Sequence, residues 1–136
     1  MKQDRPSLTA QQVAMIRAAH QVLDNPKIFD DPIALSIIGD RSLSYIRSRK
    51  RKFETRLFRY LRSFVVARSR YVEDELSIAI KRGVRQYVIL GAGLDTFAYR
   101  NPYSACGLNV FEVDYPATQE WKRQRLDAAN ISIPKS

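Results

Sequence analysis

One cysteine, Cys106, and one histidine, His20, are all that 136 residues hold of the usual soft metal ligands. A single cysteine excludes an internal disulfide, and one of each residue cannot build a zinc or iron–sulfur site, so no metal is expected. The pair shares no motif from which a Cys–His catalytic couple could be argued, and no catalytic residue is assigned. Long apolar runs are also missing: none approaches the ~20 residues of a membrane span. The opening residues MKQDRPSLTAQQ carry no apolar signal core, so a cytoplasmic protein is expected. Acids are scarce too. Fourteen Asp and Glu stand against 23 Lys and Arg, a formal net charge of +9. Hydrophobic residues at 45% and charged residues at 27% are ordinary for one globular domain with its own core.

The positive charge is concentrated. Between Arg47 and Arg70 lie ten basic residues and one acid, Glu54. Such a block can read phosphates or an anionic surface, which makes a small basic binding protein the alternative function. A solvated helix face is the simpler expectation, with nucleic acid not a partner. Phe53, Leu57, Leu61, Phe64 and Val65 recur at helical spacing, which places most of the arginines on the opposite side.

Before Gly83 the patterns are helical. Ser7 or Thr9 is placed to cap a helix through Leu23, which carries Val13, Ile16, Ala19 and Val22 on one side and is broken by Asn25-Pro26. Asp31 and Pro32 open a short helix that Gly39 closes, and a charged connection runs from Asp40 to Lys52. A long helix follows, from about Phe53 to Arg82, with Gly83 as its C-terminal cap. After Gly83 the period changes. Arg85 to Leu90 reads as a buried parallel strand, Leu94 to Tyr99 as a short helix, Leu108 to Val113 as a second strand, and Ala117 to Ala129 as a helix opened by Pro116. Strand, glycine turn, helix, strand, acid, helix is the order of a doubly wound sheet, so the fold class is α/β. The expected division is a helical segment, 1–82, and the start of a Rossmann-like domain, 83–136.

The turn VILGAGLDTFAYR holds Gly91 and Gly93 but has Thr96 where the dinucleotide fingerprint G-x-G-x-x-G wants its third glycine. That glycine lets a helix N-terminus meet a pyrophosphate. Asp95 would repel such a group and suits a cationic amino group or sulfonium better. Asp114, at the end of the second strand, is placed to accept both hydroxyls of a ribose. The spacing favours S-adenosylmethionine over a dinucleotide, with a ligand-free strand-to-helix turn still open.

Three blocks carry a closer likeness: DDPIA from Asp30, ARSRY from Ala67, and VILGAGLDTFAYR paired with FEVDYP. On these the chain resembles the N-terminal half of the leucine carboxyl methyltransferase family, in its bacterial, actinobacterial-type branch. The resemblance implies a methyltransferase using S-adenosyl-L-methionine, with O-methyl transfer to an unidentified acceptor. It implies that Arg70, with Arg68 as its near neighbour, meets the cofactor carboxylate through a planar fork. It places Gly91, Ala92, Gly93 and Asp95 along the methionine and ribose part, and Asp114, or failing it Glu112, on the ribose hydroxyls. The 53 residues after Gly83 hold only two strands and two helices of a sheet that has about seven strands in this class. An incomplete and inactive form is therefore expected, or one completed by another chain.

Overall fold

A computed structural model describes residues 7–134. Residues 1–6 and 135–136, which belong to the opening and closing stretches read above, lie outside it. The elements are α1 (Leu8–Leu23), α2 (Pro32–Ser48), α3 (Lys50–Phe53), α4 (Arg56–Lys81), β1 (Gln86–Leu90), α5 (Phe97–Arg100), β2 (Asn109–Val113) and α6 (Pro116–Ala128).

Local chemistry explains most of the boundaries. Ser7 caps α1, its Oγ accepting from Ala10 N at 3.2 Å. Asp31 caps α2 by accepting from Ala34 N at 3.1 Å, and Pro32 takes the first helical turn, where its missing N–H costs nothing. Gly83, at φ 97°, ends α4 in a Schellman motif: Gly83 N donates to Ile80 O and Val84 N to Ala79 O. The two strands pair in parallel, Gln86 opposite Asn109 through to Leu90 opposite Val113.

Two expectations are corrected. The first concerns the charged connection: Gly39, at φ 76°, ends the first helical segment as expected, but the chain resumes as helix directly after it and runs on as far as Ser48. A side chain at Gly39 would collide with the Arg125 guanidinium, whose Nε donates to Ile37 O at 2.8 Å. The second correction concerns the expected apolar stripe of α4. Leu57 and Phe64 face solvent, whereas Arg62 is buried, donating to Asp24 with Nε and Nη2 and to Phe53 O with Nη1. The neighbouring Asp30–Pro32 turn is bonded to α1, as Gln21 accepts from Asp31 N and donates to Phe29 O.

The larger core draws on both sides of Gly83: Ala14 and Ala18 of α1, Ile37 and Ile46 of α2, Phe53, Leu94, and Leu126 of α6. A second cluster seats one face of the sheet on α4 through Leu76, Ile80, Phe97 and Leu108, with Tyr87, Ile89 and Val110 against it. The other face of the sheet is bare. Val88, Leu90, Phe111 and Val113 all point to solvent, where a doubly wound sheet carries covering helices.

Candidate functional site

Beyond the carboxyl ends of β1 and β2 lies a cavity of about 490 Å³, bordered by α1, α4, the 91–95 turn and Asp114. This is where a doubly wound sheet places its ligands, and the volume is that of an ordinary small-molecule site. The turn is tied to the neighbouring strand end, with Gly91 N and Ala92 N both donating to Val113 O. Gly91 needs its φ of 64°, and the space a Cβ would occupy is open. Gly93 answers to a different constraint. A Cβ there would stand 3.0 Å from Ala10 Cβ, so its missing side chain admits helix α1 rather than a ligand.

Asp114 borders the cavity and is held by its own backbone neighbours. Gly93 N donates to Oδ2 at 2.5 Å and Tyr115 N to Oδ1 at 2.6 Å. A carboxylate accepts about four hydrogen bonds, which leaves capacity for two hydroxyls. Glu112, the fallback, is committed elsewhere: Lys122 Nζ at 2.6 Å and Tyr99 Oη at 2.9 Å both donate to it, and it does not border the cavity. Burial pushes the Lys122 ammonium below its ordinary range, with Glu112 opposing. The Tyr99 hydroxyl is pushed up, by burial first and then by Glu112.

Of the two arginines, Arg68 borders the cavity and Arg70 does not. Arg70 lies on the surface with Nε on both oxygens of Asp74, at 2.9 and 3.0 Å, a pair one turn along the helix. Two residues of helix rotate a side chain by about 200°, so only one of the pair can face the turn.

Asp95 lines the cavity with its charge already met. Arg17 Nη1 donates to Oδ2 at 3.0 Å and Phe97 N to Oδ1 at 2.8 Å. Burial would raise its pKa, but Arg17, Phe97 N–H, Lys122 and Arg100 outweigh burial and hold it below the usual carboxylate range. Asp95 therefore belongs to a buried polar network that no motif announces. Thr96, at the missing third glycine, is its hub: Oγ1 donates to Asp31 Oδ2 at 2.7 Å and accepts from Arg17 Nη2 and Arg100 Nε, each at 3.1 Å. Arg17 also reaches Asp31 at 2.7 Å, and Arg100 makes a two-pronged pair with Glu73 on α4, one contact of which is 2.9 Å. Arg17 and Glu73 border the cavity, and Arg17 Nε is buried without a protein acceptor among the described residues. In the sequence, Arg17 is the one charge in the otherwise apolar stretch VAMIRAA; that was the available signal.

Comparison with known proteins gives the family. The family model described as leucine carboxyl methyltransferase matches residues 10–136. A Bacillus subtilis (strain 168) protein, YktD, named as a candidate S-adenosyl-L-methionine-dependent methyltransferase, is 36% identical over 98% of this chain and 51% of its own length. A Parafrankia protein of the same description is 37% identical over 88% of this chain and 39% of its own. One from Frankia alni is 35% identical over 93% and 47% respectively. The chain spans about half the length, or less, of these relatives. The chain belongs to the leucine carboxyl methyltransferase family.

Proposed function

We propose that the chain is the cofactor-binding part of an S-adenosyl-L-methionine-dependent methyltransferase, with residues 1–82 as a helical cap and 83–136 as the start of the cofactor domain. The observation that carries this is one cavity, at the strand ends, bordered by Gly91, Asp114 and the cation Arg68. The donor set suits the cofactor. Arg68 offers a fork to its carboxylate, Asp114 takes the ribose hydroxyls, and the open side of Gly91 lets the backbone approach the bound chain. When bound, the cofactor supplies an electrophilic methyl group on its sulfonium.

The transfer is O-methylation, and a carboxylate suits as acceptor. Among the described residues, those bordering the cavity include no histidine, cysteine or lysine to act as a base. Tyr87 is there, but burial and then the carboxylates of Asp95 and Glu73 raise its pKa, which keeps it protonated. An acceptor that is already anionic needs only in-line positioning. Alone, the 136-residue chain transfers little, because the sheet face of Val88, Leu90, Phe111 and Val113 is uncovered and the strands have unpaired edges. A complementing polypeptide that covers this face would restore transfer.

Calorimetry with S-adenosylhomocysteine tests the site. Binding by the chain is expected, weakened about tenfold or more by Arg68→Gln and Asp114→Asn, and unchanged by Arg70→Gln. Equal losses for Arg68→Gln and Arg70→Gln would overturn the assignment. Robust methyl transfer from labelled cofactor by the isolated chain would refute its inactivity.

A further inference from the structure

The mid-chain basic block is solvated as expected, apart from buried Arg62, but apolar side chains are exposed beside it. Lys50, Arg51 and Lys52 of α3 and Arg56 and Arg59 of α4 are all exposed, and so are the apolar residues among them. Leu57 is 65% exposed, Tyr60 70% and Phe64 52%. At spacings of three and four these three share the side of α4 opposite buried Arg62 and Val66, a line of about 10 Å. Phe64 lies under the Arg68 guanidinium, 5.6 Å from ring centroid to Cζ, so the patch runs up to the rim of the cavity. Lys52, over the Tyr45 and Phe58 rings, pins α3 beside α4.

We propose that this face docks the protein on an anionic lipid bilayer. A helix lies in a membrane interface when apolar side chains enter the acyl boundary while Lys and Arg stay among the headgroups, and here exposed Arg56 and Arg68 flank the apolar line on the same side of α4. Charge complementarity selects the occupant: only Glu54 opposes the basic residues between Arg47 and Arg70. The apolar line selects bilayer over nucleic acid. Phosphate contacts need the cations alone, and base stacking wants aromatic faces along a groove, not an aliphatic Leu57 on a convex helix. The docking depends on this surface alone and not on the cofactor assignment.

Co-sedimentation of the 136-residue chain with phosphatidylcholine vesicles, with and without about 30% phosphatidylserine, tests it. Binding is expected to the anionic vesicles only, and neutralising Arg56 to Gln should lower it about fivefold. The variant Leu57→Ser/Tyr60→Ser/Phe64→Ser keeps every charge and should lose at least tenfold in vesicle affinity. A Phe64→Trp reporter should shift its emission to the blue on anionic vesicles. Unchanged vesicle binding by the triple serine variant, or tighter binding to a DNA duplex than to anionic vesicles at equal salt, overturns the proposal. All three substituted side chains are exposed, and an unaltered circular dichroism spectrum shows that the variant is folded.

Discussion

Thr96 allows the network around the glycine turn to be weighed. Its hydroxyl makes three contacts with charged partners, one donated to Asp31 and one accepted from each of Arg17 and Arg100, inside a pocket where Thr96 is 1% exposed. A hydrogen bond to a charged group contributes about 1.5–3 kcal/mol, and three that share one oxygen are not additive, so about 3 kcal/mol is the expected loss in Thr96→Val. That variant keeps volume and removes only the hydroxyl. At an unfolding entropy of about 2.1 cal/mol/K per residue, the loss lowers Tm by about 10 °C. Thr96→Ser keeps the hydroxyl and removes a methyl group, for about 1 kcal/mol or 3–4 °C. Thr96→Gly, which completes the dinucleotide fingerprint, loses hydroxyl, methyl and backbone restraint together, about 5 kcal/mol, a large part of the stability of a small domain. The assay is thermal unfolding by circular dichroism, repeated in urea. If Thr96→Val melted within about 2 °C of the native chain while Thr96→Ser fell further, volume and not hydrogen bonding would explain this residue.

Other expectations concern the same scaffold. Asp24 is held below its ordinary pKa: burial raises it, but hydrogen bonds from Arg62 and His20 outweigh burial. A depressed carboxylate stabilises the fold above its unfolded pKa of about 3.9, and the gain is lost as pH falls through the lower folded value. Asp24→Asn should therefore cost about 3 kcal/mol at neutral pH, the low end for a buried pair because Asp24 remains partly solvated, and it should flatten the acid unfolding curve below about pH 4. An unchanged acid limb in the titration would contradict this. Gly93→Ala, with its Cβ 3.0 Å from Ala10 and φ at 50°, should cost about 1–3 kcal/mol. Gly91→Ala meets open space and pays only for its φ, about 1 kcal/mol; urea midpoints in the reverse order would refute the distinction. Lys122→Met leaves the Glu112 carboxylate with Tyr99 as its remaining side-chain donor, and a loss of about 3 kcal/mol in urea unfolding is expected.

The elements with a strong period or a strong stop were legible. The helix ended by Gly83, the strands 86–90 and 109–113, and the Asp31 cap follow from residue type alone, because each is decided within a few residues of itself. Side-chain facing on α4 was not. Leu57, Leu61 and Phe64 obey a helical period, yet the helix turns Arg62 inward, because Asp24, 38 residues away, offers it a carboxylate. The same limit applies at the site. Gly91 and Asp114 could be placed from the βαβ order, whereas Arg17, Glu73 and Arg100 acquire their roles only when α1, α4 and α5 converge. That Arg68 and not Arg70 borders the cavity follows from the rotation of one helix, which a motif of adjacent letters does not state.

Helix α1 rests directly on the glycine turn: Ala10 fills the space that Gly93 leaves, Ser7 N donates to Thr118 Oγ1 on α6, and Arg17 reaches across to Asp95. The boundary at Gly83 is thus convenient on paper but is not a place to cut. Residues 83–136 grafted onto another protein would carry the recognisable motif without the helix that holds it in shape. The two parts must travel together through recombination or protein engineering, and a library that shuffled them independently would recover the sequence signature and lose the cavity.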